Sequence, residues 1–462
     1  MKIHFIAIGG SVMHQLAIAL KQKGYEVSGS DDEIFDPARS NLLAAGILPA
    51  QPGWFPEKIS PQLDAVVVGM HARNDNPELQ KAKALNLKIY SFPEFMAHES
   101  CHKTRVVVGG SHGKTTITGM IMHVLKACGR TFDYLVGAAI PGFSQAVQLT
   151  DAPAIICEGD EYPASALDPR PKFHLLKPHI AVISGISWDH INVFPTWEQY
   201  LQQFAGFIEA IEPHGTLIYN QDDATVRKLV QQSSRTDLQL IGYSLPRYTV
   251  EKGITFVYDD QQRPVALQIF GEHNLLNLQA ARQACALLGI SGADFFQAIA
   301  SFTGASRRLE LIASYPHAAV YRDFAHAPSK VKATIQALRK QFPNRRLIAV
   351  LELHTYSSLS ASFQTQYAGC MDEAAVAVVF YSPHALALKR LPELTPDTIK
   401  QGFRRDDLHV FQNLDNLLSF LEQQDYRETN LLLMSSGNFD GMDIEYIRNL
   451  PVRPSSSPAS TR

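Results

Sequence analysis

The chain has 462 residues, a net charge of -3, 45% hydrophobic residues and 19% charged residues, an ordinary globular profile. That balance gives no electrostatic reason to expect a nucleic-acid partner, and no run of ~18 apolar residues offers a membrane span. Cys101, Cys128, Cys157, Cys285 and Cys370 form no CxxC pair, which argues for free thiols in a reducing, cytoplasmic compartment over a disulfide frame or a zinc site.

The amino-terminal MKIHFIAIGG reads as a first strand and not as a signal peptide. It runs into Gly9-Gly10-Ser11 and a helical pattern, and a second extended segment over residues 26–30 leads to Asp31. A dinucleotide fingerprint would need glycines at 7, 9 and 12, and only Gly9 is present, so the case for NAD is weak. A pyrophosphate at the start of this helix is still favoured physically.

Further apolar runs at residues 65–68, 105–108, 154–157, 180–184, 347–351, 375–380 and 431–434 read as strands of parallel sheets covered on both faces. Their alternation with helical patterns argues an α/β protein. Three strand–loop–helix starts and a length of about three domains suggest domains over residues 1–99, 100–311 and 312–450. The Pro/Ser-rich 451–462 is expected to be a disordered tail.

The strongest local signal is Gly109-Gly110-Ser111-His112-Gly113-Lys114-Thr115-Thr116, between an apolar strand and an amphipathic helix with Ile117, Met120, Ile121, Val124 and Leu125 on one stripe. Glycines let backbone amides wrap a phosphate, and the helix start adds partial positive charge. Lys114 is suited to the β- and γ-phosphates of ATP and the Thr115 hydroxyl to Mg²⁺. The loop is a tight GxxGKT, because Val108 stands where the general pattern has its first glycine. Kinases, motor ATPases, GTPases and ligases share such loops.

Two polar sites follow later strands, Glu158-Gly159-Asp160-Glu161-Tyr162 and Trp188-Asp189-His190. Ligands of parallel sheets bind beyond the carboxyl ends of the strands, so Glu158 and His190 are placed to meet the phosphates. A carboxylate suits Mg²⁺, and an imidazole completes a second site. The plainer reading of each alone is a helix cap or a solvated loop.

Taken together, these motifs resemble the Mur ligase family over nearly the whole chain. GGSHGKTT is similar to its ATP loop, EGDEY to its EADE motif and WDH to its (E)xDH motif. Gly271-Glu272-His273-Asn274-Leu275-Leu276-Asn277 is similar to its GxHNxxN motif, Arg307-Arg308-Leu309-Glu310 to its RRxE motif, and Asp323-Phe324-Ala325-His326-Ala327-Pro328 to its DYAHxP loop.

The resemblance implies three α/β domains: a Rossmann-like UDP-binding domain, a central P-loop ATPase domain and a C-terminal Rossmann-like domain. It implies a ligase that phosphorylates a carboxylate with ATP and hands the acyl phosphate to an amine. Gly110, Ser111, His112, Gly113, Lys114, Thr115 and Thr116 would hold the phosphates, with Thr115 on a first Mg²⁺ and Glu158 and His190 on a second. Asn274, Asn277 and Arg308 would hold the adenine–ribose end. Asp323 would sit on the ribose side, and His326 near the reacting amine. Gly9, Gly10 and Ser11 would contact the UDP pyrophosphate, Asp31 the uridine, and His71, Arg73 and Asn76 the sugar side.

The acid substrate implied is UDP-N-acetylmuramate. The amine implied is the tripeptide L-alanyl-γ-D-glutamyl-meso-diaminopimelate, as in peptidoglycan recycling, with the amino acid L-alanine as the alternative. The stretch from Asp160 to Phe173 and Pro141-Gly142-Phe143 are similar to members that take the tripeptide. Glu352-Leu353-His354-Thr355-Tyr356-Ser357 is closer to alanine-adding members. Among departures from the family, Arg322 and Ala327 replace an Asp and a His, Ser187 replaces the glutamate before WDH, and residues 191–226 contain no lysine to carry a carbamate. The expected state is a monomer or weak homodimer with no membrane or nucleic-acid partner. The competing classes are an oxidoreductase with two dinucleotide folds and a non-catalytic nucleotide sensor.

Overall fold

The structure, a computed structural model, describes residues 1–70, 72–188 and 193–452. Among these described residues it is α/β, with four sheets. The first contains β1 (Lys2–Ile6), β2 (Glu26–Ser30), β3 (Ala65–Val68) and β4 (Ile89–Ser91), in the order β2-β1-β3-β4. The second contains β5 (Thr104–Gly109), β6 (Asp133–Leu135), β7 (Val147–Gln148), β8 (Ala154–Glu158), β9 (Ile180–Ile183), β10 (Thr216–Asn220) and β11 (Gln239–Tyr243). Its order is β11-β10-β9-β5-β8-β6-β7, parallel except for the β6–β7 pair.

A small antiparallel sheet follows, of β12 (Tyr248–Glu251), β13 (Ile254–Tyr258) and β14 (Pro264–Leu267). The last sheet contains β15 (Glu310–Ser314), β16 (Ala318–Asp323), β17 (Arg346–Glu352), β18 (Val376–Phe380), β19 (His409–Phe411) and β20 (Thr429–Met434). Its order is β15-β16-β20-β17-β18-β19, with β15 antiparallel at the edge. The unbroken apolar runs became central parallel strands because both of their faces are covered. Val106, Val107 and Val108 in β5 and Ile348, Ala349 and Val350 in β17 are all fully buried.

The chain packs as two compact units. One comprises residues 1–186, 196–245 and 276–299, and the other residues 187–195, 246–275 and 300–462. The small sheet therefore belongs to the same unit as the last sheet. Polar ties hold it there. Thr255 Oγ1 donates to Gln341 Oε1 at 2.8 Å, and Gln341 Nε2 donates to the Gly253 carbonyl at 2.6 Å. At the far end of the chain, Pro451 and Val452 belong to a short 3-10 turn, Leu450–Val452, so the expected tail does not begin at 451. Among the described residues no helix is long and apolar enough to cross a membrane.

Candidate active site

The phosphate loop leaves β5 at Gly109 and enters the helix Lys114–Ala127, whose side chains from Thr115 to Met122 are all buried. Two of its glycines are required by geometry. Gly110 (φ +133°) and Gly113 (φ +75°) lie in the left-handed region that side chains with a Cβ avoid. Space is also lacking. A Cβ on Gly110 would come within 2.1 Å of Ser184 Oγ, and one on Gly113 within 2.2 Å of Asn277 Oδ1. Ser184, just past β9, pins the loop from below. Its amide donates to the Gly109 carbonyl at 3.1 Å and its hydroxyl to the His112 carbonyl. Asn277 thus touches the loop itself, at the residue that caps the helix.

Side chains expected around a nucleotide do converge here. Lys114 Nζ donates to Glu161 Oε2 at 2.6 Å. Thr115 Oγ1 donates to Glu158 Oε1 at 2.7 Å, and the other Glu158 oxygen accepts from the Gly137 amide at 2.8 Å. Burial alone would pull the Lys114 ammonium below its usual range, but Glu161, Asp160 and Glu158 outweigh it and hold the lysine above that range. Burial likewise opposes the charge on Asp160, yet Lys172 and Lys114 keep its carboxyl below the ordinary carboxylate range. The oxygens of Thr115 and Glu158, hard donors side by side at the loop, fit Mg²⁺. His190, the other expected ligand, lies outside the described residues, as does His71.

Two elements bring Glu161 under Lys114. After β8 the chain folds back on itself over residues 160–173. The Lys172 amide donates to the Tyr162 carbonyl at 3.0 Å, the Ala164 amide to the Arg170 carbonyl at 2.9 Å, and Lys172 Nζ to Asp160 Oδ2 at 2.7 Å. Arg170 forks onto Asp168 and reaches Glu94 Oε1 at 2.8 Å. The second element is the helix Trp197–Glu209, started by a Thr196–Gln199 capping box. Its buried stripe of Tyr200, Phe204 and Phe207 packs on Phe173, with Phe207 stacked at 4.5 Å. That packing aims the Tyr200 hydroxyl at Glu161 Oε1 (3.1 Å) and at Ser111 Oγ (2.7 Å). Ser111, expected on the nucleotide, has its hydroxyl there and its amide on the Gly185 carbonyl at 2.9 Å.

The amino-terminal turn is built differently. Its left-handed residue is Ala7 (φ +67°), and the Ala7 amide donates to the Ser30 carbonyl at 2.9 Å. Asp31, 1% exposed, accepts from the Gly9 amide at 2.7 Å. The residue expected at the uridine therefore closes the glycine turn. The helix starts only at Met13, with Gly10 and Ser11 ahead of it, and His14 Nδ1 lies 2.9 Å from the Gly10 carbonyl. Asn76, expected near the sugar, is the buried N-cap of the helix Pro77–Ala84, accepting from the Glu78 and Leu79 amides at 3.0 and 3.1 Å. Arg73 is exposed.

In the second unit, Asn274 donates to the Phe270 carbonyl at 2.9 Å. The Arg308 guanidinium lies 4.8 Å from the centre of the Phe324 ring, a cation–π contact. Asp323, buried at the end of β16, accepts from Thr334 Oγ1 at 2.7 Å. Burial pushes the His273 imidazole below its ordinary range, and Asp323 and Glu272 only partly oppose this. His326 Nδ1 lies 2.8 Å from the Phe324 carbonyl, and the His326 carbonyl accepts from Tyr367. Where the family's first Asp is replaced, Arg322 pairs with Glu310 at 2.9 Å across the β15–β16 edge.

Comparison with known proteins agrees with these features. The Mur ligase family catalytic domain matches residues 2–104, the Mur ligase middle domain residues 108–285, and the Mur ligase glutamate ligase domain residues 307–437. A UDP-N-acetylmuramate–L-alanine ligase of Aquifex aeolicus is 31% identical over 77% of this chain and 78% of its own. The chain belongs to the Mur ligase family. It is an ATP-dependent ligase with that family's three-domain α/β architecture. The UDP-N-acetylmuramate–L-alanyl-γ-D-glutamyl-meso-2,6-diaminoheptandioate ligase of Haemophilus influenzae is 28% identical over 98% of this chain and 99% of its own. The crystal structure of the UDP-N-acetylmuramate–alanine ligase of Thermotoga maritima shares the fold, with TM-score 0.67, 20% identity and 98% of each chain covered.

Tyr200 carries no sequence motif. Its one signal is a hydroxyl on the apolar stripe of an amphipathic helix. Glu161 stands inside EGDEY, where only Glu158 drew attention as a ligand.

Proposed function

We propose that this ligase joins the lactyl carboxylate of UDP-N-acetylmuramate to the α-amine of L-alanyl-γ-D-glutamyl-meso-diaminopimelate, in the cytoplasm, with ATP and Mg²⁺. The observation that carries the reading is the folded-back segment 160–173. Its Asp160, Asp168, Arg170 and Lys172 are the charged residues similar to tripeptide-taking members, and here they form its internal ties. The similarity to the Haemophilus enzyme over nearly both full lengths supports it further.

The chemistry follows from the site. A carboxylate resists attack because resonance and charge oppose a nucleophile. Transfer of the γ-phosphoryl group makes it an acyl phosphate with a good leaving group. Lys114 holds the β- and γ-phosphates from the loop, and Thr115 and Glu158 hold a divalent cation there. When bound, Mg²⁺ supplies charge neutralisation between phosphates and carboxylate. The amine then attacks the acyl carbon, and a tetrahedral adduct collapses to the amide with loss of phosphate. Positioning and fixed charge account for most of this catalysis.

A second reading keeps the site and changes the amine to L-alanine. It draws on the Aquifex relative and on His354-Thr355-Tyr356-Ser357. Phosphate release measured with ATP, UDP-N-acetylmuramate and either amine separates the two. Faster turnover with the tripeptide is expected, and a strong preference for L-alanine overturns the first reading.

A further inference from the structure

The P-loop lysine does not stand free over its loop. Lys114 Nζ lies 2.6 Å from Glu161 Oε2, and the other oxygen of that carboxylate accepts from the Tyr200 hydroxyl at 3.1 Å. Tyr200 is in turn 2.7 Å from Ser111 Oγ, so four side chains link the two ends of the phosphate loop. Glu161 is 1% exposed and Tyr200 fully buried, while the Lys114 side chain keeps 16% exposure. The carboxylate is thus the more enclosed partner and the ammonium the less enclosed one. Phosphate oxygens and a carboxylate oxygen present the same charge to the same three N–H donors.

We propose that Glu161 competes with the triphosphate for Lys114, and that Tyr200 fixes Glu161 in the competing position. Glu161 is then a positioning residue that sets how tightly the nucleotide is held. With the lysine already paired, part of its attraction for phosphate is cancelled in advance. Ground-state affinity for ATP is thereby lowered, and the full charge of Lys114 becomes available only where phosphate charge is greatest. A binding site tuned in this way favours the transition state over the bound substrate.

This inference rests on Lys114 being a phosphate ligand, and the experiment tests the two separately. The dissociation constant of AMP-PNP with Mg²⁺ is measured by calorimetry for the wild-type chain, Glu161→Gln, Tyr200→Phe, the double variant and Lys114→Ala. Glu161→Gln keeps the shape and removes the charge. It is expected to bind AMP-PNP about tenfold more tightly, with a lower KM for ATP and a lower kcat. Tyr200→Phe is expected to tighten binding by a smaller factor, and to add nothing in the Glu161→Gln background. A residue that served only to support the fold would weaken binding when altered.

Unchanged or weaker AMP-PNP binding by Glu161→Gln, at an unchanged melting temperature, overturns the proposal. If that variant does not fold, Tyr200→Phe decides by the same criterion. Loss of binding in Lys114→Ala keeps the phosphate-loop reading whichever way Glu161 behaves. Wild-type binding by Lys114→Ala sinks that reading and the inference with it.

Discussion

The same three residues, Gly-Gly-Ser, stand at positions 9–11 and 109–111, each after an apolar strand, and the structure makes two different devices of them. At 109–114 Gly110 and Gly113 take left-handed conformations pressed against Ser184 and Asn277, and the helix begins at once with Lys114. At 9–11 the left-handed residue is Ala7, and the helix begins later, at Met13. An acid serves both turns. In the first turn Asp31 takes a backbone amide, and in the second Glu161 takes the lysine ammonium. An acid on an amide shapes a turn, whereas an acid on a lysine ammonium can tune affinity. The same glycine pattern can therefore serve two kinds of turn, and the neighbouring carboxylates distinguish them.

The largest break in this comparison is Lys114→Ala. Loss of one such charge-stabilising donor costs roughly 3–4 kcal/mol in enzymes, so turnover should fall by at least ~10²-fold. Wild-type phosphate release in the purified variant would remove the lysine from the chemistry.

Gly113→Ala comes next. It puts a Cβ 2.2 Å from Asn277 Oδ1 at a φ of +75°, and the left-handed backbone alone costs about 1–2 kcal/mol for an alanine. Thermal melts should drop and the KM for ATP should rise, with the KM for UDP-N-acetylmuramate little changed.

Asp31→Asn probes the other turn. It weakens a charge-assisted bond to the Gly9 amide, of the class worth about 1.5–3 kcal/mol. The KM for the UDP-sugar should rise about tenfold while that for ATP holds. Equal rises in both would show that the turn supports the fold and not the UDP-sugar.

The smallest effect is expected from Asn76→Ala. An N-cap lost to alanine costs about 1 kcal/mol of stability, with both KM values unchanged. A large rise in the KM for UDP-N-acetylmuramate would show that Asn76 does meet the sugar.

The covered parallel strands β1, β3, β5, β8, β9, β17, β18 and β20 were readable, because such a strand must be apolar along its whole length, whereas the short or antiparallel strands β4, β6, β7, β12 to β15 and β19 carried no such run. That Thr115 and Glu158 lie at one end of the same sheet was readable too, since each follows a strand at the end where ligands bind, but their direct hydrogen bond was not, because the motifs assigned them to different Mg²⁺ ions. Asn76 carried a legible signal that was passed over: Asn-Pro-Glu is a cap, a first-turn proline and a first-turn acid. The small sheet β12–β14 was not separable from the central segment, because the ties that place it, Thr255 to Gln341 and Gln341 to Gly253, join residues far apart in the chain.

By itself the sequence determined the periodicities, the glycine turns and the residue types of a phosphate and metal site. These are local properties, set by sterics and by hydrophobic spacing over a few residues. Only the tertiary structure decided the partners: Glu161 beneath Lys114, Tyr200 between Glu161 and Ser111, and Asp31 on the Gly9 amide. The reason is that a hydrogen bond between distant residues depends on how helices and folded-back segments pack. The Phe173, Phe204 and Phe207 cluster that aims Tyr200 is one such packing.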